Sequence, residues 1–121
     1  MAQVKLREDV KVHVGDSMRD AANRVLHDIA RFESGENVEE RHVTFENWQA
    51  LFNVLTPKRY ELLCHVHAHP EPSVRALARA LDRDFKRVYE DVKALVDAGL
   101  LAQGADGLRA EYDRIETAIP L

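Results

Sequence analysis

Apolar and polar residues alternate at the start of the chain, and apolar residues then recur at helical spacing. Between residues 3 and 14 the alternation predicts a strand with one buried face, broken near residues 8–9. Gly15 predicts a turn, and Asp16 or Ser17 can cap the helix that follows. The apolar residues that predict this helix are Met18, Ala21, Ala22, Val25, Leu26, Ile29 and Phe32.

A polar stretch separates this helix from the next apolar pattern. Residues 36–42 are expected to form an exposed linker, followed by a short strand near 42–45 and a short helix over 46–55. The residues expected on the buried side of that short helix are Trp48, Leu51, Phe52 and Leu55.

Three further helices are marked by capping residues. Thr56 before Pro57 predicts a helix start, because the hydroxyl can cap and a proline loses no hydrogen bond in the first turn. Ser73 and Asp84 are expected to cap the next two helices, with a tight turn over 82–84. The side chains expected to be buried are Tyr60, Leu62, Leu63, Cys64 and Val66, then Val74, Leu77, Ala78 and Leu81, then Phe85, Val88, Val92, Leu95 and Val96.

A hairpin is predicted after the last of these helices. Gly99 suits the left-handed position past a helix end, where Leu100 can fold back on Leu95. The turn at residues 104–107 contains Asp-Gly, which tolerates positive φ, so two short strands are expected on either side of it. Residues 114–119 are expected to form a last strand.

Composition narrows the class of protein only a little. The 121 residues, 45% hydrophobic and 31% charged, suit a soluble protein with one domain of modest core or with a small domain plus an arm. With one cysteine, no signal-like start and no apolar run long enough to cross a bilayer, we expect a cytoplasmic protein without membrane contact. The net charge of −4 argues mildly against DNA binding, but residues 57–98, with eight basic and seven acidic side chains, are the most positive part.

The order of the elements nonetheless favours a DNA-binding function. Three helices and a hairpin form a winged helix-turn-helix, whose third helix enters the major groove. Arg or Lys near the start of that helix can donate to guanine, while Lys93, Ser73 at a helix start, and Arg109 in the hairpin suit phosphates. The predicted DNA-binding residues are Ser73, Arg75, Arg83, Lys86, Arg87, Tyr89, Glu90, Lys93 and Arg109, with Arg79 as a further backbone contact.

Two plainer interpretations stay open. Any surface helix of a soluble protein carries Lys and Arg, and helix-turn-helix motifs also serve as protein-binding modules. Tyr89 fits the core as well as it fits a base contact.

Several segments resemble a known family. They are Leu-Thr-Pro-Lys-Arg at 55–59, Leu-Ala-Arg-Ala-Leu-Asp-Arg-Asp at 77–84, Val-Tyr-Glu-Asp-Val-Lys-Ala-Leu at 88–95 and Gly-Leu-Leu at 99–101, with 43–46 and 112–116 also fitting. They resemble small prokaryotic DNA-binding proteins, winged-helix regulators distantly similar to the MarR group, over residues 41–121. Because such proteins are often encoded beside a small toxin, the resemblance implies a repressor that is also the antitoxin of a toxin–antitoxin pair. A stand-alone, ligand-responsive MarR-like regulator and a winged-helix interaction module are the alternatives.

The N-terminal part is predicted to be a separate region. Residues 1–45 are expected to form a β-α-β extension and residues 46–121 the winged helix-turn-helix domain. A winged helix needs no such extension for its core, so we expect it to bind a partner, such as a cognate toxin, or a second copy of the chain. The alternative is that it packs on its own domain. A homodimer is attractive because two half-sites give far more specificity than one recognition helix.

Enzymatic and metal chemistry have little support in the sequence. His65, His67, His69 and Cys64 do not share one helix face, and structural zinc sites use more cysteines than this chain has. Cys64 is expected to be an inert core thiol. No Gly-rich phosphate loop, Gly-x-Ser-x-Gly or His-Glu-x-x-His motif is present. The sequence therefore predicts an α+β, DNA-binding protein with no catalytic residues, metal or cofactor.

Overall fold

The computed structural model describes residues 8–15, 18–33 and 40–121, and its mixture of helices and strands agrees with the predicted α+β class. The elements are β1 (Glu8–Val14), α1 (Met18–Glu33), β2 (Glu40–Phe45), α2 (Trp48–Val54), α3 (Pro57–Ala68), α4 (Val74–Leu81), α5 (Phe85–Asp97), β3 (Ala102–Gly104), β4 (Gly107–Arg109) and β5 (Tyr112–Glu116).

These elements form two compact units. The first unit contains residues up to Trp48 together with 112–121, and the second contains residues 49–111. The predicted boundary at residue 45 lies close to Trp48, where the N-terminal segment of the first unit ends. The last strand, which the prediction places with the helices of the second domain, instead lies in the first unit, because β5 pairs with β1.

The first unit is built on a three-stranded parallel sheet in the order β2–β1–β5. Side chains alternate between its faces, so Val10 and Val12 lie on one face and Lys11 and His13 on the other. Both valines are buried. The register against β5 shifts between Glu8 and Asp9, where the sequence predicts a break in the strand.

Three predictions fall wholly or partly outside the described residues. They concern the strand at 3–7, the cap at Asp16 or Ser17, and the linker at 36–39. The linker prediction is wrong for residues 40–42, because β2 already begins at Glu40 and pairs with β1 from that residue onward.

The helix α1 forms as predicted, but the part of its apolar stripe that the structure describes is exposed. Val25, Leu26 and Ile29 are 58%, 64% and 48% exposed. The reason lies on the other side of the helix, where Arg24 and Arg31 line a cavity shared with the polar face of the sheet. The apolar side of α1 therefore points away from the strands.

The second unit begins with three capped helices, and all three predicted caps are confirmed. The side-chain oxygens of Thr56, Ser73 and Asp84 accept hydrogen bonds from the backbone N–H groups three residues ahead, at 3.3, 3.1 and 3.3 Å. The tight turn is also confirmed, with Asp82 in the left-handed region at φ 52°. The buried apolar residues of this unit are Leu51, Leu62, Leu63, Val66, Leu77, Ala78, Val88, Val92, Leu95, Leu100, Leu101, Leu108 and Ala110.

Four residues predicted to be buried are exposed. Phe52 and Tyr60 are each 59% exposed, because Leu51 and the pair Leu62–Leu63 take the inward positions of their helices. Cys64 is exposed, so the prediction of a core thiol is wrong. Phe85 is 40% exposed, because it lies in the first turn of α5.

The hairpin forms where it is predicted, and it is hydrogen-bonded to the loop before α4. β3 and β4 pair in antiparallel fashion, and Gly99 has the expected positive φ of 82°. Glu71 and Leu108 exchange two backbone hydrogen bonds of 2.7 and 3.3 Å. Gly107, at φ +105°, lies so close to this loop that a Cβ would be 2.8 Å from the Cα of Pro72 and closer still to the Glu71 carbonyl oxygen. Only glycine fits there.

A carboxylate holds the helices of the second unit together. Asp91 on α5 accepts from Arg59 Nε at 2.9 Å and from Arg83 Nη2 at 2.8 Å. Arg59 also donates to the carbonyls of Asn53 and Val54 at the end of α2, at 2.8 and 3.1 Å. The Arg59, Arg83 and Asp91 side chains are only 19%, 21% and 14% exposed, so water screens these ion pairs weakly.

We expect Asp91→Asn to lower the free energy of unfolding by about 2–4 kcal/mol, because both guanidinium groups would lose their charged acceptor. Asp97→Asn is the matched control on the same helix, since its pair with Lys93 is 3.8 Å long and exposed. That change should cost at most about 0.5 kcal/mol. Urea denaturation of both variants measures the difference, and equal midpoints would show that the carboxylate is dispensable.

Gly107→Ala should destabilise the second unit by about 2 kcal/mol or more, since the added methyl group would meet backbone atoms of residues 71–72 at a strained φ. Gly104→Ala, in the same turn, is the control because a Cβ there has no atom within 4 Å. Thermal unfolding followed by circular dichroism compares the two. Similar melting temperatures would contradict the close approach of the hairpin to this loop.

Candidate nucleic-acid interface

The orientation of α5 is set by its buried side. Val88, Val92 and Leu95 are at most 2% exposed and fix the inward face of the helix. Successive residues of an α-helix are rotated by about 100°. This rotation places Lys86, Glu90 and Lys93 on the opposite, exposed side.

The first turn of α5 carries two cations. Lys86 and Arg87 are exposed, and within the part of the chain that the structure describes neither makes an ion pair. The backbone N–H of Arg87 is bonded to the Asp84 carboxylate, which leaves the guanidinium group available. Both side chains can therefore donate to an external acceptor.

Aromatic and cationic groups from α4 extend this region. The Arg75 guanidinium lies over the Phe85 ring, 4.8 Å from its centroid, and Phe85 is 6.1 Å from the ring of Tyr89. Arg75, Arg79 and Phe85 also line an open cavity of about 610 Å³ at the junction of the two helices. We call Arg75, Arg79, Phe85, Lys86, Arg87 and Tyr89 the α4–α5 surface.

The Tyr89 side chain is 50% exposed, so it contributes to both the core and the surface. Its buried side lines a small cavity with Val74, Lys93 and Gln103. Gln103 belongs to β3, so this cavity places the hairpin beside the middle of α5.

Ser73 lies directly before α4, and Arg109 lies in the hairpin. The Ser73 hydroxyl oxygen accepts from Ala76 N at the start of α4, which leaves its hydrogen free to donate. Arg109 is engaged with Glu111 at 3.2 Å and with Asp106 at 3.9 Å. Both carboxylates are well exposed, so these pairs are weak and exchange readily for another anion.

Arg83 differs from the other predicted contacts. Its guanidinium is bound to Asp91, and its side chain is 21% exposed. A role in DNA binding would require it to leave this carboxylate. The described geometry gives it a role in bracing α5.

The sequence reasoning missed the importance of Phe85 and Asp91. Phe85 has the helical phase of the buried stripe, so only its place in the first turn signals that it extends past the core. Asp91 looks like one acidic residue among many, and no local pattern signals its two partners, which are 8 and 32 residues away.

The histidines of α3 have structural partners. His65 Nε2 lies 2.9 Å from a Glu71 carboxylate oxygen, and His67 Nδ1 lies 2.8 Å from the Ala110 carbonyl oxygen. Among the described residues no three His, Cys, Asp or Glu side chains are grouped as a metal site would require. Within the same residues, no helix has both the length and the apolar character needed to cross a bilayer.

Comparison with known proteins gives one match. No curated protein and no solved structure matches the chain. The model of the HVO_A0114 family matches residues 54–117, which span α3, α4, α5, the hairpin and β5 and make up more than half of the chain. The chain therefore belongs to the HVO_A0114 family.

Proposed function

We propose that this protein is a sequence-specific DNA-binding transcriptional regulator that acts in the cytoplasm, with residues 49–111 as a winged helix-turn-helix. The proposal is supported by the succession of α3, α4, α5 and the β3–β4 hairpin. The observation that carries it is the α4–α5 surface, where exposed aromatic rings meet two cations that make no ion pair with any described residue, at the start of an otherwise well-anchored helix.

In this proposal α5 reads base edges in the major groove. Arg87 and Lys86 would donate to O6 and N7 of guanine, and Glu90 would accept from the amino group of cytosine. Tyr89 would contact a thymine methyl group or a sugar with the exposed half of its ring. These contacts need α5 to enter by its N-terminal end, where the α4–α5 surface lies.

Phosphate contacts would come from the periphery. The candidates are Ser73 and Arg75 at the start of α4, Lys93 on α5 and Arg109 in the hairpin. Because the whole chain carries a net charge of −4, these local cations must supply the attraction. We therefore expect affinity that falls steeply as salt is added.

We further propose a homodimer that joins two copies through α1. Ala22, Val25 and Ile29 are exposed and spaced three and four residues apart, which is the spacing of residues in the seam of two packed helices. A two-fold axis allows the same face to serve on both copies. Two α5 helices could then reach successive half-sites on one duplex.

For the biological setting we propose the antitoxin and autorepressor of a toxin–antitoxin pair, which is supported by the resemblance described above. Expression of a neighbouring small reading frame, with and without this protein, tests this setting. Growth arrest that this protein relieves would support it. A neighbouring gene without effect on growth would favour the stand-alone regulator.

Arg87→Ala should weaken binding to the specific site by about 1–3 kcal/mol while leaving binding to random DNA almost unchanged, if Arg87 pairs with guanine. Lys93→Ala should weaken binding to both DNAs alike and lower the slope of log affinity against log salt by about one. Fluorescence anisotropy with DNA from upstream of the gene and with random duplex measures both effects. No preference of the unmodified protein for the upstream DNA in ~100 mM salt would reject the proposed function in favour of a protein-interaction module.

Val25→Glu should convert the proposed dimer to monomer, because it would place two charges in the apolar contact between the helices at a cost of several kcal/mol. Ala30→Glu is the control, since Ala30 is also exposed on α1 but lies roughly a quarter turn away from the centre of the apolar stripe. Light scattering coupled to size exclusion gives the mass of each variant. An unmodified protein of monomer mass at micromolar concentration would reject this interface.

A further inference from the structure

The first two turns of α5 expose two aromatic rings to solvent. The side chains of Phe85 and Tyr89 are 40% and 50% exposed. They are four residues apart, so they lie on one side of the helix. Their ring centroids are 6.1 Å apart, and the ring planes are 33° from parallel. The two rings therefore form one continuous apolar patch, which we call the aromatic pair.

The aromatic pair is not needed to hold α5 in place. Val88, Val92 and Leu95 anchor the helix, and they are at most 2% exposed. Apolar surface that stays in contact with water adds nothing to the burial that stabilises a fold. Two neighbouring rings that remain in water beside a packed core are therefore typical of a binding surface.

Cations flank the aromatic pair. The Arg75 guanidinium lies over the Phe85 ring, 4.8 Å from its centroid, and Lys86 follows Phe85 directly. Neither Arg75 nor Lys86 forms an ion pair with any residue that the structure describes. Asp84 precedes Phe85, but its carboxylate accepts from the backbone N–H of Arg87. The patch thus combines apolar surface with positive charge, which suits an anionic ligand that carries apolar groups of its own.

A DNA duplex presents this combination in its major groove. Phosphates border the groove, and the 5-methyl group of thymine is the apolar group on the base edges, where the other bases present hydrogen-bond donors and acceptors. Stacking on an unpaired base is the other use of an aromatic ring, and it needs a free ring face. Because the Arg75 guanidinium already covers one face of Phe85, a contact with a methyl group is favoured.

We propose that the aromatic pair forms a subsite for the 5-methyl group of one thymine in the recognised DNA. Phe85 and Tyr89 contact the methyl group, and Arg75, held by the Phe85 ring, donates to a phosphate beside it. Lys86 donates to a guanine in a neighbouring base pair. Glu90, the exposed acid that follows Tyr89, has a cytosine amino group as its partner. This inference rests on the proposed function and names a base that the protein requires.

Deoxyuridine tests the subsite, because it differs from thymidine only in lacking the methyl group. Each thymine that the protein protects in the upstream duplex is replaced in turn, and affinity is measured by fluorescence anisotropy. We expect a loss of about three- to tenfold at one position in each half-site and little change elsewhere. 5-Methylcytosine at that position should bind several-fold more tightly than cytosine, since it carries the methyl group where thymine does. A site with no methyl-sensitive thymine overturns the proposal.

Variants of the aromatic pair assign the methyl group to its partners. In Phe85→Ala and Tyr89→Ala the penalty for deoxyuridine at the sensitive position should fall below about twofold, because the methyl group has lost its contact. Tyr89→Phe keeps the ring and should keep the penalty. Tyr60→Ala, which removes an exposed ring from α3, is the control and should leave the penalty unchanged. Circular dichroism confirms that the variants fold, and an undiminished penalty in either alanine variant of the pair overturns the shared subsite.

The same measurements separate this inference from the proposed function. Preference for the upstream DNA without any methyl-sensitive thymine rejects the subsite and leaves the proposed function standing. Absence of any preference rejects both. Tighter binding of a single strand of the same sequence than of the duplex would replace the methyl contact by base stacking and overturn the inference.

Discussion

The arrangement of helices in residues 49–111 depends on one carboxylate. Asp91 lies on α5 and accepts from a guanidinium at the start of α3 and from another in the turn before α5. Through Arg59 the same network reaches the last carbonyls of α2. Hydrophobic packing holds α5 against the core, but it is not directional. The two ion pairs add direction, and so they reinforce the rotation of α5 that its buried side sets.

The rotation of α5 determines which of its side chains are exposed to a partner. With Asp91 turned inward, Lys86, Glu90 and Lys93 lie outside, and Phe85 is left at the edge, beneath Arg75. An aromatic ring under a guanidinium limits the freedom of that side chain before any ligand arrives. A surface of this kind loses less conformational entropy on binding than a set of free lysines would.

Local signals in the sequence predict most of the second unit. Caps at Thr56, Ser73 and Asp84, the glycine after α5 and the Asp-Gly turn all act over a few residues, and each has the predicted role. The candidate surface on α5 follows from the same periodicity, since a buried stripe defines the opposite face. Whether those exposed residues bind DNA is a matter that periodicity does not decide.

Predictions failed where distant segments decide the outcome. The parallel pairing of β5 with β1 joins residues about a hundred positions apart, and nothing in the local pattern at 112–116 specifies that neighbour. The apolar stripe of α1 predicts the helix correctly, but periodicity cannot say which side faces the strands. The cavity between α1 and the sheet was not predicted for the same reason, because Arg24, His27 and Arg31 look like a solvated face until the sheet is placed beside them.

The pairing of β5 with β1 also has a consequence for synthesis on the ribosome. Residues 49–111 form a contiguous unit whose core is complete before 112–116 are translated. The sheet of the first unit, in contrast, waits for its third strand until nearly the whole chain has emerged. Folding is therefore expected to begin in the middle of the chain, while β1 and β2 expose an unpaired strand edge that other nascent chains could capture.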